Sequence, residues 1–233
     1  FNNGDGGELT RNGGTLPKMQ ALHSSSALGV NTFQYWKNNN QIADIAFACG
    51  LCSKVNRSSI NLKFEEKLLI STKFDKKPNI DVIIENSHSS NFKVFGIECK
   101  FSEPYSSQRH SGLKEKYLIE IPELWSNIPN LHNLAKTIAP EDRHFKHLRA
   151  AQLIKHILGL KKAYGKSSFR LLYLWYGAYG QEGIDHQNEI ETFKKIAKLD
   201  NINFHALTYQ ELILKLTKHF YDKNKEYLHY MTD

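Results

Sequence analysis

Two neighbouring stretches of largely alternating apolar residues constrain this chain more than any other feature of its sequence. The first is Pro78-Asn79-Ile80-Asp81-Val82-Ile83-Ile84, and the second is Phe95-Gly96-Ile97-Glu98-Cys99-Lys100-Phe101. Side chains alternate along a strand, and the polar residues 86–91 between the stretches favour a turn. The pattern therefore predicts a β-hairpin, with Ile80, Val82 and Ile84 on one face and Asp81 on the other.

Symmetric closure of this hairpin about Ser89 and Ser90 places Asp81 opposite Glu98, with Lys100 on the same face as Glu98. Cross-strand neighbours lie about 5 Å apart, and like charges there are destabilising. A magnesium ion, which binds carboxylate oxygens at about 2.0–2.1 Å, would relieve that repulsion. We therefore predict that Asp81 and Glu98 hold a metal ion. The alternative is a hairpin with one solvated face of mixed charge.

Length and charge are those of one globular domain with a polyanionic partner. The chain has 233 residues, of which 40% are hydrophobic, and its formal net charge is +7. Such a chain can bury a sizeable core, and its basic balance is typical of proteins that bind nucleic acid. No apolar run approaches the roughly 18 residues of a membrane span, and no charged-then-apolar stretch of the kind found in signal peptides opens the sequence, so we expect neither feature. We expect a cytoplasmic protein with no membrane partner.

Cysteine usage favours a reducing compartment, because three cysteines cannot form a disulfide framework. Cys49 and Cys52 have the spacing of half a zinc or iron–sulfur site, but Cys99 alone cannot complete it. We interpret Cys49 and Cys52 as buried structural residues and expect neither zinc nor an iron–sulfur cluster. A zinc-dependent binding module built on these two residues is the alternative.

The remaining pattern predicts an organisation with one domain. We predict that residues 1–21 form a mobile N-terminal segment and that residues 22–233 form a single domain, with an insertion at about 102–139. A long helix is predicted to start at Pro140-Glu141-Asp142 and to end near Gly165. Asp185 is predicted to cap the next helix, and Thr208 to open the last one through a capping box. The predicted order of elements is αβββαβαβα.

That order, with Asp on one hairpin strand and Glu-x-Lys on the other, resembles the PD-(D/E)xK nuclease superfamily. Within it, the chain is most similar to a bacterial group of proposed restriction endonucleases. The resemblance covers about residues 60–210 and is sharpest over residues 78–84 and 96–105. It implies an α/β fold with a restriction-endonuclease-like core, in which helices flank a central mixed β-sheet that carries the catalytic hairpin.

The resemblance also implies roles for individual residues. Asp81, Glu98 and Lys100 would be catalytic, and the metal ligands would be Asp81, Glu98 and the backbone carbonyl of Cys99. Lys100 would orient or activate the attacking water. Many superfamily members have a further Glu upstream of the Asp, and we assign that role to Glu65, with an ordinary surface charge as the alternative. The expected metal is Mg²⁺, for which Mn²⁺ would substitute.

A further motif lies on the long helix. RecB-like nucleases of this superfamily carry Gln-x-x-x-Tyr there, and this chain has Gln152 with His156 four residues later, beside Arg149 and Lys155. Positions four apart share a helix face. We expect Gln152, Arg149 and Lys155 to position the substrate, with a solvated helix face as the alternative. For His156 the solvated face is the favoured interpretation.

These residues together predict a magnesium-dependent deoxyribonuclease, an endonuclease of the restriction type that hydrolyses phosphodiester bonds in DNA. A non-catalytic nucleic-acid-binding protein on the same fold is the alternative. The chain lacks the aromatic platform by which many RNA-binding domains stack bases, so DNA is the preferred partner. A homodimer is left open as its assembly state.

Overall fold

The computed structural model describes residues 18–20, 24–106 and 111–232, and its centre is a five-stranded sheet in the order β1-β2-β3-β4-β5. The strands are β1 (Ser59–Lys67), β2 (Asn79–Asn86), β3 (Val94–Lys100), β4 (Phe169–Trp175) and β5 (Phe204–Thr208). β2 is antiparallel to both of its neighbours, β1 and β3, whereas β3, β4 and β5 run parallel. The predicted α/β class with a central mixed sheet is confirmed.

Helices cover both faces of this sheet. They are α1 (Ser25–Asn38), α2 (Ile42–Ala48), α3 (Lys116–Ile119), α4 (Pro129–Thr137), α5 (Ala150–Tyr164), α6 (Gln181–Leu199), α7 (Tyr209–Phe220) and α8 (Lys225–Tyr230). Leu172 and Leu174 of β4 pack into the core that includes α1, α2 and α7. Leu171 and Tyr173 pack into the opposite core with α4, α5 and α6. Because both faces are covered, β4 is almost continuously apolar.

The predicted mobile segment, residues 1–21, lies outside the described residues except for Lys18–Gln20, which form one turn of 3-10 helix. In the part of the chain that the structure describes, no helix is long and apolar enough to cross a membrane.

The long helix begins later than the sequence predicts. It starts at Ala150, so the predicted start at residues 140–142 is wrong. The backbone N–H groups of Lys146, His147 and Leu148 donate to the carboxylate of Glu189 on α6, at 2.7, 2.8 and 2.7 Å. A helix would have used these donors internally. The carboxylate of a distant element therefore holds the segment in a non-helical path.

The next two predicted helix starts have different outcomes. Helix α6 begins at Gln181, directly after Gly180, whose φ is 82°. Asp185 is therefore not its cap, and its side chain accepts a hydrogen bond from Gln181 Nε2 within the helix at 2.7 Å. The capping box at Thr208 is confirmed, because its hydroxyl accepts from the Glu211 N–H at 3.0 Å while the Glu211 carboxylate accepts from the Thr208 N–H at 2.9 Å.

The segment between β3 and α5 packs on the α5 face of the sheet. Its aromatic residues Tyr117 and Trp125 are buried in that core, and Trp125 Nε1 donates to the Tyr117 carbonyl at 2.8 Å. The start of α4 is held by Asp200, whose carboxylate accepts from the N–H groups of Asn130 and Leu131 at 3.1 and 2.7 Å. This segment is thus anchored to α6 at two places, by Glu189 and by Asp200.

Candidate active site

The hairpin of β2 and β3 closes in the register that the sequence predicts. Val82 pairs with Ile97 and Ile84 pairs with Phe95; the next step along this register brings Asp81 opposite Glu98. The regular ladder ends at Val82 and Ile97. Beyond it, Asp81 Oδ2 accepts a hydrogen bond from the backbone N–H of Cys99 at 2.6 Å. The Asp81 carboxylate is therefore bonded to the backbone of Cys99, the residue between Glu98 and Lys100.

The alternation of the first hairpin strand breaks at Asp81. Val82 and Ile84 lie in the core beneath α1, α2 and α7, as predicted. The predicted placement of Ile80 beside them is wrong, because its side chain packs in the α5 core with Ile83. On the neighbouring strand, Glu65 lies between the residues that pair with Val82 and Ile80, and its φ is 53°. The break in alternation on β2 and the positive φ of Glu65 on β1 thus lie side by side at Asp81. Such irregularities are common at functional sites.

Glu98 is the centre of a buried ionic network. Its side chain is 1% exposed, and both of its oxygens accept hydrogen bonds. Lys100 Nζ donates to Oε1 at 2.5 Å, and His156 Nε2 donates to Oε2 at 2.7 Å. Glu98 and Lys100 share a face because they are two residues apart on β3, whereas His156 reaches them from α5. The network therefore fixes the position of the Glu98 carboxylate from two directions.

The prediction that His156 lies on a solvated helix face is wrong, since its side chain is 1% exposed. Leu153 and Leu160, three residues before and four residues after it, are both buried. His156 thus lies on the apolar stripe of α5, which was the sequence signal for its burial. A histidine in such a stripe needs a polar partner, and Glu98 provides it.

The pKa values of the two hairpin carboxyl groups, Asp81 and Glu98, are shifted in opposite directions. Burial and, next, the Glu98 charge raise the pKa of Asp81 well above its ordinary range. Burial also acts to raise the pKa of Glu98, but Lys100 and His156 outweigh it and lower that pKa to about 2. Burial acts to lower the pKa of Lys100, yet Glu98 and Asp81 raise it. Glu98 and Lys100 are therefore a stable ion pair, whereas ionised Asp81 lacks sufficient positive charge beside it.

This donor set fits a divalent cation. A cation next to both carboxylates would oppose the two effects, burial and like charge, that disfavour ionised Asp81. Among the residues that the structure describes, no group of three or more His, Cys, Asp or Glu side chains is arranged to hold a metal ion. Magnesium sites commonly use only one or two carboxylates, with water and substrate phosphate completing the shell. Two carboxylates and a backbone carbonyl would suffice.

Among the other residues predicted for the site, Glu65 and Lys155 interact electrostatically with Asp81 or Glu98. The charge of Glu65 contributes to the raised pKa of Asp81, so Glu65 is near enough to act on it. Lys155 is half-buried, and burial lowers its pKa against the opposing effect of Glu98. Arg149 precedes the first residue of α5, and its charge acts on Tyr173, the β4 partner of Glu98. Gln152 is half-buried on the first turn of α5.

Two residues without a predicted role complete the end of β3. The Glu103 carboxylate accepts hydrogen bonds from Ser25 Oγ at 2.5 Å and from the Phe101 N–H at 3.1 Å. Ser25 is the first residue of α1, so this contact joins that helix to the end of β3. The charge of Glu103 also helps to raise the pKa of Lys100. In the sequence, Glu103 could have been singled out because it lies five residues after Glu98, within the stretch on which the family resemblance rests.

The two predicted structural cysteines differ in burial. Cys49 lies in the core beneath α1, α2 and α7, and burial raises the pKa of its thiol far above the ordinary range. Cys52 is half-buried at the edge of the same core. Neither lies in the Asp81–Glu98 network.

Comparison with known proteins supports the resemblance carried by the hairpin. A family model described as Restriction Endonuclease associating with ARP (REase-ARP) matches residues 8–233. No curated protein and no solved structure gives a match. Since the family model covers nearly the whole sequence, including the hairpin and every element of the sheet, the chain belongs to the restriction endonuclease family REase-ARP.

Proposed function

We propose that this protein is a metal-dependent endonuclease of the restriction type that hydrolyses phosphodiester bonds in DNA. Asp81, Glu98 and Lys100 would be its catalytic residues. The observation that carries the proposal is their convergence on adjacent strands, where a carboxyl with a raised pKa lies beside a buried glutamate–lysine ion pair. Pairs of titratable groups whose environments push their pKa values apart are typical of active sites.

A purely structural role accounts for this arrangement poorly. The ion pair of Glu98 and Lys100 is complete without Asp81, and the ionised form of Asp81 is disfavoured by burial and by Glu98. An isosteric neutral residue at position 81 could still accept the hydrogen bond from Cys99. The charge at this position therefore costs stability, which is expected where function requires it. This favours a nuclease over the non-catalytic alternative.

The chemistry of hydrolysis assigns a task to each group. Asp81 and Glu98, with the carbonyl of Cys99 and with Glu65 as a further candidate, would hold Mg²⁺ or Mn²⁺. When bound, the ion polarises the phosphoryl oxygen and lowers the pKa of a water molecule. Lys100, kept cationic by Glu98, places positive charge where negative charge develops on the phosphate in the transition state.

His156 has a positioning role in this proposal. Its hydrogen bond to Oε2 leaves Glu98 no freedom to rotate away from Lys100. Gln152, Arg149 and Lys155, on the same helix, would position the DNA backbone near the pair. Phosphate contacts of this kind set the orientation of the substrate and do not read its sequence.

Cleavage of supercoiled plasmid and of single-stranded DNA in Mg²⁺, Mn²⁺ or EDTA tests the proposal. We expect cleavage that depends on the metal. Asp81→Asn, Glu98→Gln and Lys100→Met should each lower the rate by roughly 10²-fold or more, as expected when a group that stabilises the transition state is removed. Glu85→Gln is the matched control, because Glu85 lies on the same strand as Asp81 and pairs with Lys63 away from the site.

Full activity in any of the three variants would remove that residue from the mechanism. Binding of DNA by the wild-type protein without cleavage under any of these conditions would favour the non-catalytic alternative.

A further inference from the structure

A concave surface near Asp81 and Glu98, which we call the catalytic pair, is lined by lysines from three separate parts of the chain. Lys76 comes from the connection between β1 and β2, Lys114 and Lys116 come from the segment between β3 and α5, and Lys155 comes from α5. Asp75 is the acidic residue among the lining side chains. Four lysines and one aspartate leave an excess of three positive charges here. We call this surface the lysine groove.

The lysine groove leads to the catalytic pair through Lys155. The charge of Lys155 interacts with Glu98 on one side and with Lys114 on the other. Lys155 is half-buried, whereas Lys76 and Lys114 are exposed. Positive charge therefore extends from the exposed rim of the groove to Lys155, whose charge acts on Glu98.

Aromatic packing lies beneath Lys116, and a close backbone approach lies beside Lys114. Lys116 Nζ lies 4.7 Å from the centre of the Phe74 ring, which in turn packs against the ring of Tyr117. Gly112 passes so close to the backbone that a Cβ atom there would lie 1.8 Å from the Ile138 carbonyl oxygen. Only glycine permits this approach, which brings Lys114 to the rim of the groove. A groove with a rigid floor loses less conformational entropy when it binds a ligand.

We propose that the lysine groove binds the phosphate backbone of double-stranded DNA next to the catalytic pair, so that the segment between β3 and α5 is part of the substrate-binding surface. This inference rests on the proposed nuclease function. Lysine provides a compact, strongly hydrated charge without the fork that arginine offers to a base edge. The groove would therefore contribute affinity that is equal for all DNA sequences.

The test is a salt series of binding to duplex DNA by full-length protein made inactive with Asp81→Asn. Lys76→Gln with Lys114→Gln removes two charges from the rim. Each phosphate contact contributes about −0.9 to the log–log salt slope, so the double variant should flatten the slope by about two units. Affinity should fall alike for unrelated sequences, and Lys76→Arg with Lys114→Arg should restore both properties.

The matched control is Lys195→Gln with Lys198→Gln, two exposed lysines on α6 outside the groove, which should leave slope and affinity unchanged. Equal slopes for the groove variant and its parent would overturn the groove proposal even if the wild-type protein cleaves DNA. A flattened slope in a protein that never cleaves would support the groove and discard the nuclease. Absence of DNA binding by the inactive parent would overturn the groove proposal, while cleavage by the wild-type protein decides the nuclease proposal separately.

Discussion

At the scale of single residues, the two carboxylates of the hairpin contribute to stability with opposite signs. The pKa of Glu98 is lowered to about 2, so its ionised form stabilises the fold fully above the ordinary pKa of a glutamate. That contribution is lost as the pH falls through the folded-state value. The pKa of Asp81 is raised, so the folded state binds its proton more readily than the unfolded state does. Ionised Asp81 therefore destabilises the fold at neutral pH.

We expect Asp81→Asn to raise the free energy of unfolding at pH 7, because it removes a carboxylate whose ionised form is disfavoured by burial and by the Glu98 charge. Glu98→Gln should lower it by on the order of 3 kcal/mol, because it leaves the Lys100 cation buried without its partner. Chemical denaturation of both variants measures the two signs. Glu85→Gln, at a partly exposed ion pair with Lys63, should change the free energy by less than about 1 kcal/mol. Changes of the same sign in Asp81→Asn and Glu98→Gln would contradict this electrostatic account.

At the scale of elements, α6 positions the segment that precedes α5. Glu189 accepts three consecutive backbone donors, and their N–H groups would be left without partners if the carboxylate were removed. We expect Glu189→Ala to lower the free energy of unfolding by on the order of 2 kcal/mol, since the N–H groups of His147 and Leu148 are partly buried and an unsatisfied buried donor costs about 1–3 kcal/mol. Hydrogen exchange should also become faster at residues 146–148.

The control for this element is Glu191→Ala, because Glu191 lies on the same helix and bonds to its exposed neighbours Gln187 and Lys194. Its effect on stability should be small. Equal stability and equal exchange in the Glu189 variant and the wild-type protein would show that the three donors find other acceptors.

At the scale of the whole molecule, metal binding should be coupled to folding. Asp81 and Glu98 lie on the sheet that separates the two cores, so a ligand held there would stabilise the folded state as a whole. We expect the Tm of the wild-type protein to rise with Mn²⁺ concentration. Each tenfold increase above Kd adds about 1.4 kcal/mol of stability. The Tm of Asp81→Asn should respond much less, and thermal denaturation monitored by circular dichroism compares the two. An equal rise in both proteins would place the bound metal elsewhere.

The sequence by itself determined the hairpin, its register and the opposition of Asp81 and Glu98. It also determined the capping box at Thr208 and the apolar strand β4. These features depend on alternation, turn residues and capping residues that lie within a few positions of one another. The physical information for them is local, and the family resemblance rests on the same short stretches.

Only the tertiary structure decided which distant groups meet. His156 contacts Glu98 across 58 positions of sequence, and Glu189 moves the start of α5 by holding three donors from another element. The lysine groove joins three separate segments, and the side chain of Ile80 changes face where Glu65 adopts a positive φ. Each of these contacts results from helices packing on the sheet, and the free energy that selects such packing is spread over the whole core. No local pattern in the sequence carries it.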